Sequence, residues 1–374
     1  MHIAFVLGQA GLGGTESQAG LLVTGLRERG HNVDVFLVEG GSARDSELLD
    51  GSVTFLTSAR VSGLRGAWNL SKATFRLRRK LTSSDYDLVH AAMARGYVVA
   101  SIARPMSIPL IAWRRNQGVH LQSNRLGYRI ERWSAKRSIM LVFNSDPVKS
   151  HWLSRRVGAP DRCAVFSNAL AEWRFDTAVE PALSGGPCRL ASVGGLKHVK
   201  RNDLLIKAAK LLRDRGIDAE VVLVGDGDRR EELVSLADEL EVPLTVTGYV
   251  DDPRPWLASA TAYVHSSDSE GSSNAIAEAM AFGMAIVATD VGDAKEALDG
   301  VGLVVPSGDP EALARALASF IVEPDKVLEM GRAARAAAEL RFSVNQVVSA
   351  HEAIYAQVVS DHVRDRRSRR IRHR

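Results

Sequence analysis

The chain of 374 residues is short of cysteine, of long apolar runs and of net charge. Its two cysteines, Cys163 and Cys188, supply neither a disulfide framework nor the C-x-x-C spacing of a zinc site, so a reducing, cytoplasmic setting is expected. Because no apolar run reaches about 20 residues, no membrane-spanning helix is predicted. The N-terminal apolar run has no basic segment ahead of it, and a signal peptide is therefore not predicted either.

The net charge of +4 comes from one end of the chain. The last eleven residues, RDRRSRRIRHR, hold seven Arg and one Asp, a net charge of +6, and the rest of the chain carries −2. This balance predicts no basic body that binds nucleic acid. Residues 362–374 are predicted to form a disordered, solvated tail, with peripheral contact to an anionic membrane surface as the alternative.

What the chain does have is a regular alternation of short apolar runs and amphipathic stretches of helical length, which is typical of parallel α/β domains. The alternation occurs in two series, HIAFVLG to CAVFSNAL and CRLASVGG to GLVVP, joined by a stretch that has no period and contains Pro and Gly. The prediction is an α/β fold of two Rossmann-like parallel-sheet domains facing across a cleft. The domains are residues 1–170 and 171–342, with a helix at about 343–361 that packs back on the first.

A glycine-containing loop follows the first strand of each series. GQAGLGGTES brings backbone N–H groups to a helix start, although its spacing is not that of the dinucleotide fingerprint. VGGLKHVKRND sets Gly194 and Gly195 after a strand and Lys197, Lys200 and Arg201 before a helix, which concentrates cations where a phosphate would bind. The plainer alternatives are a tight turn for the first loop and a solvated basic loop for the second.

Two acidic sequence patterns are relevant to whether the chain binds a metal ion or a nucleotide. VGDGDRREEL contains a D-x-D spacing, but a turn at a strand edge explains it and no metal site is predicted. In SSDSEGSSNAIAEAMAFG, Ser272, Ser273 or Asn274 can cap a helix whose N–H groups suit a diphosphate. Glu270 precedes that helix and Glu278 lies within it, and a carboxylate suits neighbouring sugar hydroxyls because it accepts two hydrogen bonds. The plainer alternative is capping by Glu270 and a solvent-facing Glu278.

Together these motifs resemble glycosyltransferase family 4, the retaining GT-B enzymes that use nucleotide sugars. VGGLKHVKRNDLLIKA is similar to the family's G-R-L-x-x-x-K-G block, VTGYVDD to its base-contacting turn, and SEGSSNAIAEAMAFGMAIVATDVGDAKE to its E-x7-E signature. The resemblance implies a hexosyltransferase of glycan biosynthesis that needs no metal and no cofactor. It also implies a UDP- or GDP-sugar donor, a glycan, lipid-linked or small-molecule acceptor, and retention of anomeric configuration.

The resemblance further implies a role for each matching position. Lys200 would neutralise the leaving diphosphate, Glu270 would face the transferred sugar, and Glu278 would hold the ribose hydroxyls. The base would be met by the main chain of Val250. The implied donor-binding set is Gly13, Gly14, Gly194, Gly195, Lys200, Arg201, Gly225, Val250, Glu270, Gly271, Ser272, Ser273 and Glu278, and the implied catalytic set is Lys200, Glu270 and Arg115.

The chain departs from the family pattern at two informative positions. Gly195 stands where the G-R-L block has Arg, and Lys197 and Arg201 are the candidate replacements. Arg115 stands where the family frequently has His, and contact with phosphate or acceptor is its expected role. Two alternatives to a transferase remain open: a nucleotide-sugar 2-epimerase of the same architecture and a non-catalytic nucleotide-sugar-binding protein.

Overall fold

The computed structural model describes residues 1–9, 14–40, 53–57, 63–115, 125–176, 178 and 186–372. The chain forms two compact units, Met1–Ala169 with Val344–Arg374, and Leu170–Ser343. It therefore passes from the first unit to the second after Ala169 and returns after Ser343.

The first unit is built on a seven-stranded sheet with the order β3-β2-β1-β4-β5-β6-β7, in which every pairing is parallel. Strands β4, β5 and β6 are buried along their whole length, as expected for parallel strands covered on both faces. The strands are β1 His2–Leu7, β2 Asn32–Leu37, β3 Val53–Phe55, β4 Leu88–Ala92, β5 Leu110–Arg114, β6 Met140–Phe143 and β7 Cys163–Val165.

Helices cover both faces of this sheet. One layer packs through Ala73, Leu77, Ala100, Ala135 and Trp152 and contains α2 Gly63–Thr82, α3 Ala94–Ala103, α4 Arg125–Arg137 and α5 Asp146–Ser154. The opposite layer contains α1 Gly14–Glu28 and the last helix of the chain, Val344–Arg372, whose Val348 and Tyr355 are buried.

That last helix corrects one expectation. Residues 362–374 were expected to form a disordered tail, but the helix continues to Arg372. No Gly or Pro interrupts residues 344–372, and arginine is a good helix former, so the helical register is not broken at residue 362. His362 Nε2 lies 3.0 Å from the Ser107 carbonyl oxygen, which ties this part of the helix to the body of the unit. Lipid contact by the terminal arginines stays a prediction.

The second unit has a six-stranded parallel sheet with the order β10-β9-β8-β11-β12-β13. Its strands are β8 Cys188–Val193, β9 Ala219–Val224, β10 Leu244–Val246, β11 Ala262–His265, β12 Ile286–Thr289 and β13 Leu303–Val305. Its helices are α6 Asn202–Asp214, α7 Arg230–Glu239, α8 Arg254–Ala258, α9 Asn274–Ala281, α10 Ala294–Ala297, α11 Pro310–Val322 and α12 Pro324–Phe342, so the last helix of the chain is α13.

The second unit is also covered on both faces, with α6, α7 and α11 against one face of its sheet and α8, α9, α10 and α12 against the other. The prediction of two Rossmann-like parallel-sheet domains is thus confirmed. In each sheet the strand order reverses once, between β1 and β4 and between β8 and β11. Open α/β sheets bind ligands at the carboxyl ends of the strands beside such a reversal. A ligand-binding site is therefore expected at the described loops after β8 and β11.

Among the described residues, no helix combines the length and the apolar character that crossing a membrane requires.

Candidate active site

The loop after β8 is held against the loop after β9 by a close backbone approach. Gly194, at φ 142°, donates its N–H to the Val224 carbonyl at 2.9 Å, and Leu196 donates to the Asp226 carbonyl at 2.9 Å. Gly225, at φ 145°, lies so near that a Cβ atom there would collide with the Gly194 carbonyl oxygen. Both positions therefore require glycine, and the two turns form one edge of the site.

Lys200 is fixed at this edge by contacts with the loop after β11. It ends a 3-10 turn, and its carbonyl accepts a hydrogen bond from Ser266 Oγ at 2.9 Å. The N–H of Asp268 donates to the Val199 carbonyl at 2.9 Å. These contacts bring Lys200 Nζ to 2.5 Å from Glu270 Oε1. The structure thus brings together two residues that are 70 positions apart in sequence.

Glu270 is a largely buried carboxylate surrounded by groups that favour its charge. Burial raises its pKa, but His265, whose Nε2 lies 3.6 Å from Oε1, and Lys200 outweigh that effect and hold the pKa at about 2. Ser267 Oγ donates a further hydrogen bond to Oε1 at 3.1 Å. Glu270 is therefore ionised at any physiological pH and is unsuited to act as a general acid.

The helix that follows Glu270 begins with a side-chain cap. Ser273 is the N-cap of α9, and its Oγ accepts from the Ile276 N–H at 3.4 Å. Asp293 Oδ1 accepts the Ser273 N–H at 3.3 Å, and burial raises the pKa of this carboxyl group. The helix start therefore already faces one acidic side chain, which sequence reasoning missed because Asp293 lies 20 positions away, in the next strand-to-helix turn along the chain.

Glu278 lies inside α9 and does not face solvent as the plainer alternative had it. Its Oε2 accepts a hydrogen bond from Arg174 Nη1 at 2.9 Å, and both side chains are about four-fifths buried. The Arg174 guanidinium stacks on the Trp173 ring, 4.1 Å from its centroid. Burial raises the pKa of Glu278, and the positive charge of Arg174 opposes this rise. Arg174 is a second residue that sequence reasoning missed, because it lies in the stretch without a period.

The two candidate replacements for the missing family arginine differ in their surroundings. Arg201 has φ 47°, and its guanidinium pairs with Asp203 at 3.1 Å and Asp268 at 2.8 Å, so its charge is already engaged. Lys197 instead runs alongside Gly195, where a Cβ atom would lie 3.6 Å from Lys197 Cε. The space next to Gly195 is thus partly filled by a second cation.

The remaining predicted donor residues are close to this edge or in the other unit. Val250 follows Gly248, which forms an isolated antiparallel bridge with Gly225, and it packs against the core beside α9. Gly271 and Ser272 lie between Glu270 and the helix start. Gly14 begins α1 of the first unit, and Gly13 lies outside the described residues.

Arg115 follows β5 at the carboxyl edge of the first sheet. Its guanidinium stacks over the Trp113 ring, 4.7 Å from the centroid, and burial lowers its pKa to about 9. Nε and Nη1 are buried without a hydrogen-bond partner in the described part of the chain. Arg115 is therefore a cation with unused donors. Across that same part of the chain, no group of three or more His, Cys, Asp or Glu side chains is placed to hold a metal ion.

Comparison with known families accounts for most of the chain. Residues 187–322 match the family model described as glycosyl transferases group 1, and residues 13–191 match a glycosyl transferase 4-like domain. The chain is 27% identical to the lipopolysaccharide core biosynthesis mannosyltransferase LpcC of Rhizobium leguminosarum bv. viciae, with 75% of this chain and 94% of LpcC covered. It is 34% identical to a D-inositol 3-phosphate glycosyltransferase of Streptomyces griseus, with 47% of this chain and 40% of that protein covered.

Solved structures agree with this result at the level of the fold. HepE of Anabaena, in complex with UDP, superposes with a TM-score of 0.78 at 20% identity, covering 96% of this chain and 100% of HepE. The lipopolysaccharide outer core galactosyltransferase WaaB gives a TM-score of 0.74 at 18% identity, covering 96% and 100%.

The two Rossmann-like units and these structural neighbours define the GT-B fold class. Within that class, the chain belongs to the group 1 glycosyl transferases, the glycosyltransferase family 4 that its motifs resemble. The epimerase and the non-catalytic alternatives are not favoured, because the matching family models and the curated relatives above are glycosyltransferases.

Proposed function

We propose that this protein is a retaining glycosyltransferase that transfers a sugar from a UDP- or GDP-sugar to a glycan or lipid-linked acceptor without a metal ion. The observation that carries this proposal is the Lys200–Glu270 pair at 2.5 Å beside the start of α9. It places a cation, a carboxylate and a helix N-terminus within one loop cluster at the carboxyl edge of the second sheet.

The donor part of the proposal is supported by solved relatives. HepE has been solved with UDP, with UDP and glucose, and with UDP-glucose. A diphosphate at the start of α9 gains the N–H groups of a helix N-terminus, which carries about half a positive charge. We propose that Gly194, Gly195, Gly271 and Ser272 supply further backbone donors there.

Lys200 and the two glutamates have separate tasks in this proposal. Lys200 stabilises the negative charge that develops on the leaving diphosphate, a task a metal ion performs in other transferases. Glu270, ionised and fixed by Lys200 and Ser267, accepts hydrogen bonds from the transferred sugar. Glu278, held at one oxygen by Arg174, offers its other oxygen to the ribose hydroxyls.

Retention follows if the incoming acceptor attacks on the face from which the diphosphate leaves. The bond from the anomeric carbon to the phosphate oxygen breaks, the bond to the acceptor oxygen forms, and the acceptor's proton goes to the leaving phosphate. Glu270 is not assigned as a covalent nucleophile, because a double-displacement site needs a second carboxyl group about 5 Å away as acid and base.

The acceptor class is proposed from similarity to a relative, and the cellular compartment from the cysteine content. The curated relative LpcC acts in lipopolysaccharide core biosynthesis, and a glycan acceptor is proposed for this chain by that similarity. Arg115, with its unused donors, is proposed to contact an anionic group of donor or acceptor. The cytoplasmic location rests on the cysteine usage alone and stays a prediction.

A panel of UDP-, GDP- and dTDP-sugars tests the proposal. Nucleotide release from one donor, increased by a cell-extract glycan fraction and unchanged by EDTA, is the expected result. The anomeric proton of the isolated product, observed by NMR, should then show the configuration of the donor. An inverted product or full inhibition by EDTA would contradict the mechanism, and release of a 2-epimerised nucleotide sugar without a glycoside would favour the epimerase.

A further inference from the structure

Three helices of the first unit form a continuous layer whose outer surface is apolar and basic. Helix α2 packs beside α3, and α3 packs beside α4, all on the same face of the sheet. The inner sides of these helices form the core. Their outer sides, which face away from the sheet, carry large apolar residues that no core requires.

Helix α2 shows this division most clearly. Leu77 and Leu81 are buried against the sheet, whereas Trp68 and Phe75 are 64% and 70% exposed. Trp68, Lys72, Phe75 and Arg79 recur every three to four residues, so they form one stripe on the side opposite the core. Lys72 Nζ lies 5.2 Å from the centroid of the Trp68 ring, which aligns a cation with an aromatic residue on that stripe.

Helix α4 repeats the pattern. Leu126, Ile130 and Trp133 are exposed at the same helical spacing, and Arg137 lies over the Trp133 ring, 5.1 Å from its centroid. Met106, three residues beyond the end of the intervening helix α3, is 67% exposed. The apolar stripe of α2 thus has a counterpart on α4, and the surface between them is also partly apolar.

The charge of this layer is far from that of the whole chain. By sequence, α2 and α4 contain eleven Lys and Arg and one acidic residue, a net charge of +10, while the chain as a whole has +4. The one acidic residue, Glu131, is buried and paired with Arg114, so it does not offset the charge of the outer surface. The helices therefore concentrate positive charge that the rest of the chain does not share.

We propose that the outer surface of α2, α3 and α4 docks on an anionic lipid bilayer. Interfacial helices combine Trp, Phe and Leu with Lys and Arg, because the apolar groups enter the headgroup boundary while the cations meet lipid phosphates. A nucleic acid would use the cations but would leave the exposed Leu126, Ile130 and Met106 without a partner. A second copy of this surface is disfavoured, because it carries the same positive charge.

Vesicle sedimentation of the full chain tests this proposal. One set of vesicles contains equal parts of phosphatidylcholine and phosphatidylglycerol, and the other contains phosphatidylcholine alone. The expected result is binding to the anionic vesicles that is at least about tenfold tighter than to the neutral ones and weakens with salt. Equal binding to both vesicles, or none to either, would overturn the proposal.

Paired variants locate the binding surface. Lys72→Ser/Arg79→Ser is expected to weaken binding to anionic vesicles at least about tenfold, since each basic residue at such a surface contributes on the order of a fivefold change. The control Lys207→Ser/Arg315→Ser removes the same charge from exposed positions of the second unit. A similar loss in the control would mean that net charge alone drives binding.

The apolar side of the surface has its own pair of variants. Trp68→Ser/Phe75→Ser is expected to weaken vesicle binding strongly while leaving heparin binding unchanged, because heparin offers charge but no apolar layer. Val322→Ser/Leu340→Ser, exposed at 78% and 72%, is the control and should bind as the unaltered chain does. If the Trp68 and Phe75 variant keeps full vesicle binding, or if duplex DNA binds more tightly than anionic vesicles, a lipid partner is wrong. Circular dichroism melting checks that each variant is folded.

The terminal arginines give a further comparison. A full-length variant with Ser in place of every Arg of residues 366–374 is expected to lose less vesicle affinity than Lys72→Ser/Arg79→Ser. A larger loss in the terminal variant would assign the contact to the end of the chain and overturn the assignment to the helical layer. Transferase activity on a water-soluble acceptor is measured in parallel, so that failure of the docking surface and failure of the proposed function remain distinguishable.

Discussion

Arg174 and Glu278 form an ion pair at 2.9 Å that joins the start of the second unit to the middle of α9. Burial raises the pKa of Glu278, and Arg174 is the group that opposes this effect. The hydrogen bonds proposed between Glu278 and the ribose hydroxyls thus depend on a residue that does not itself need to touch the donor.

Arg174→Ala is expected to weaken binding of the donor nucleotide, because loss of the guanidinium raises the pKa of Glu278 further and its protonated form accepts fewer hydrogen bonds. Affinity of the variant should recover as pH rises and the carboxyl group ionises. Isothermal titration calorimetry between neutral and mildly alkaline pH measures this change. Arg174→Lys, which keeps the charge, should retain most of the affinity. If Arg174→Ala binds the nucleotide as tightly as the unaltered chain does at every pH, Arg174 does not position Glu278.

The low pKa of Glu270 predicts how stability depends on pH. Its folded pKa of about 2 lies below the ordinary value of 4.5, so its contribution is present above the ordinary value and is lost as pH falls toward 2. At neutral pH this contribution is on the order of 3 kcal/mol. The difference in unfolding free energy between the unaltered chain and Glu270→Gln should therefore shrink between about pH 5 and pH 2. Urea unfolding measures it, with the exposed Glu329→Gln as control.

Gly225 and Gly216 offer a matched test of the close approach between the loops after β8 and β9. Both have positive φ, 145° and 81°, but a Cβ atom at Gly216 meets no described atom within 4 Å, whereas one at Gly225 collides with Gly194. Gly216→Ala is expected to cost about 1 kcal/mol, the backbone effect alone. Gly225→Ala should cost more and also weaken nucleotide binding, because Gly194 must move. Equal losses of unfolding free energy in the two variants would show that the loops after β8 and β9 are not held in close contact.

Much of this architecture could be predicted because its signals are local. Alternating apolar runs define the strands and helices, and the spacing of Glu270 and Glu278 on either side of a helix start is visible in one short stretch. Arg174 could not be predicted in the same way, because it lies 104 positions from Glu278 in a stretch without a period. Asp293 is hidden for a related reason, since its contact with Ser273 exists only once β11 and β12 are neighbours.

For the C-terminal part of α13, the prediction from the sequence was wrong. The arginine-rich end was expected to be solvated and disordered because of its charge, yet arginine also has high helix propensity and nothing there breaks the helix. Charge alone therefore did not decide the conformation.

Lys200→Ala is expected to lower kcat by about 100- to 1000-fold, because the lysine is proposed to stabilise the leaving diphosphate in the transition state. Lys200→Arg should recover part of the rate, since it keeps the charge but changes its geometry. The control is Lys210→Ala on α6, where the lysine pairs only with Asp214 among the contacts described. Steady-state rates of nucleotide release give the comparison. A Lys200→Ala enzyme that turns over as fast as the unaltered chain would exclude the assigned role.

Lys197 and Arg201 are the two candidate replacements for the family arginine at the position of Gly195, and we propose Lys197. Arg201 is engaged by Asp203 and Asp268, whereas Lys197 runs beside Gly195. Lys197→Ala should therefore lower kcat/KM by about tenfold with little change in Tm, as loss of one phosphate contact predicts. Arg201→Ala should lower Tm and change kcat/KM less, because its loss removes the cation paired with Asp268 and leaves Asp203 paired with Arg229 but not Arg201. The reverse pattern would assign the missing charge to Arg201.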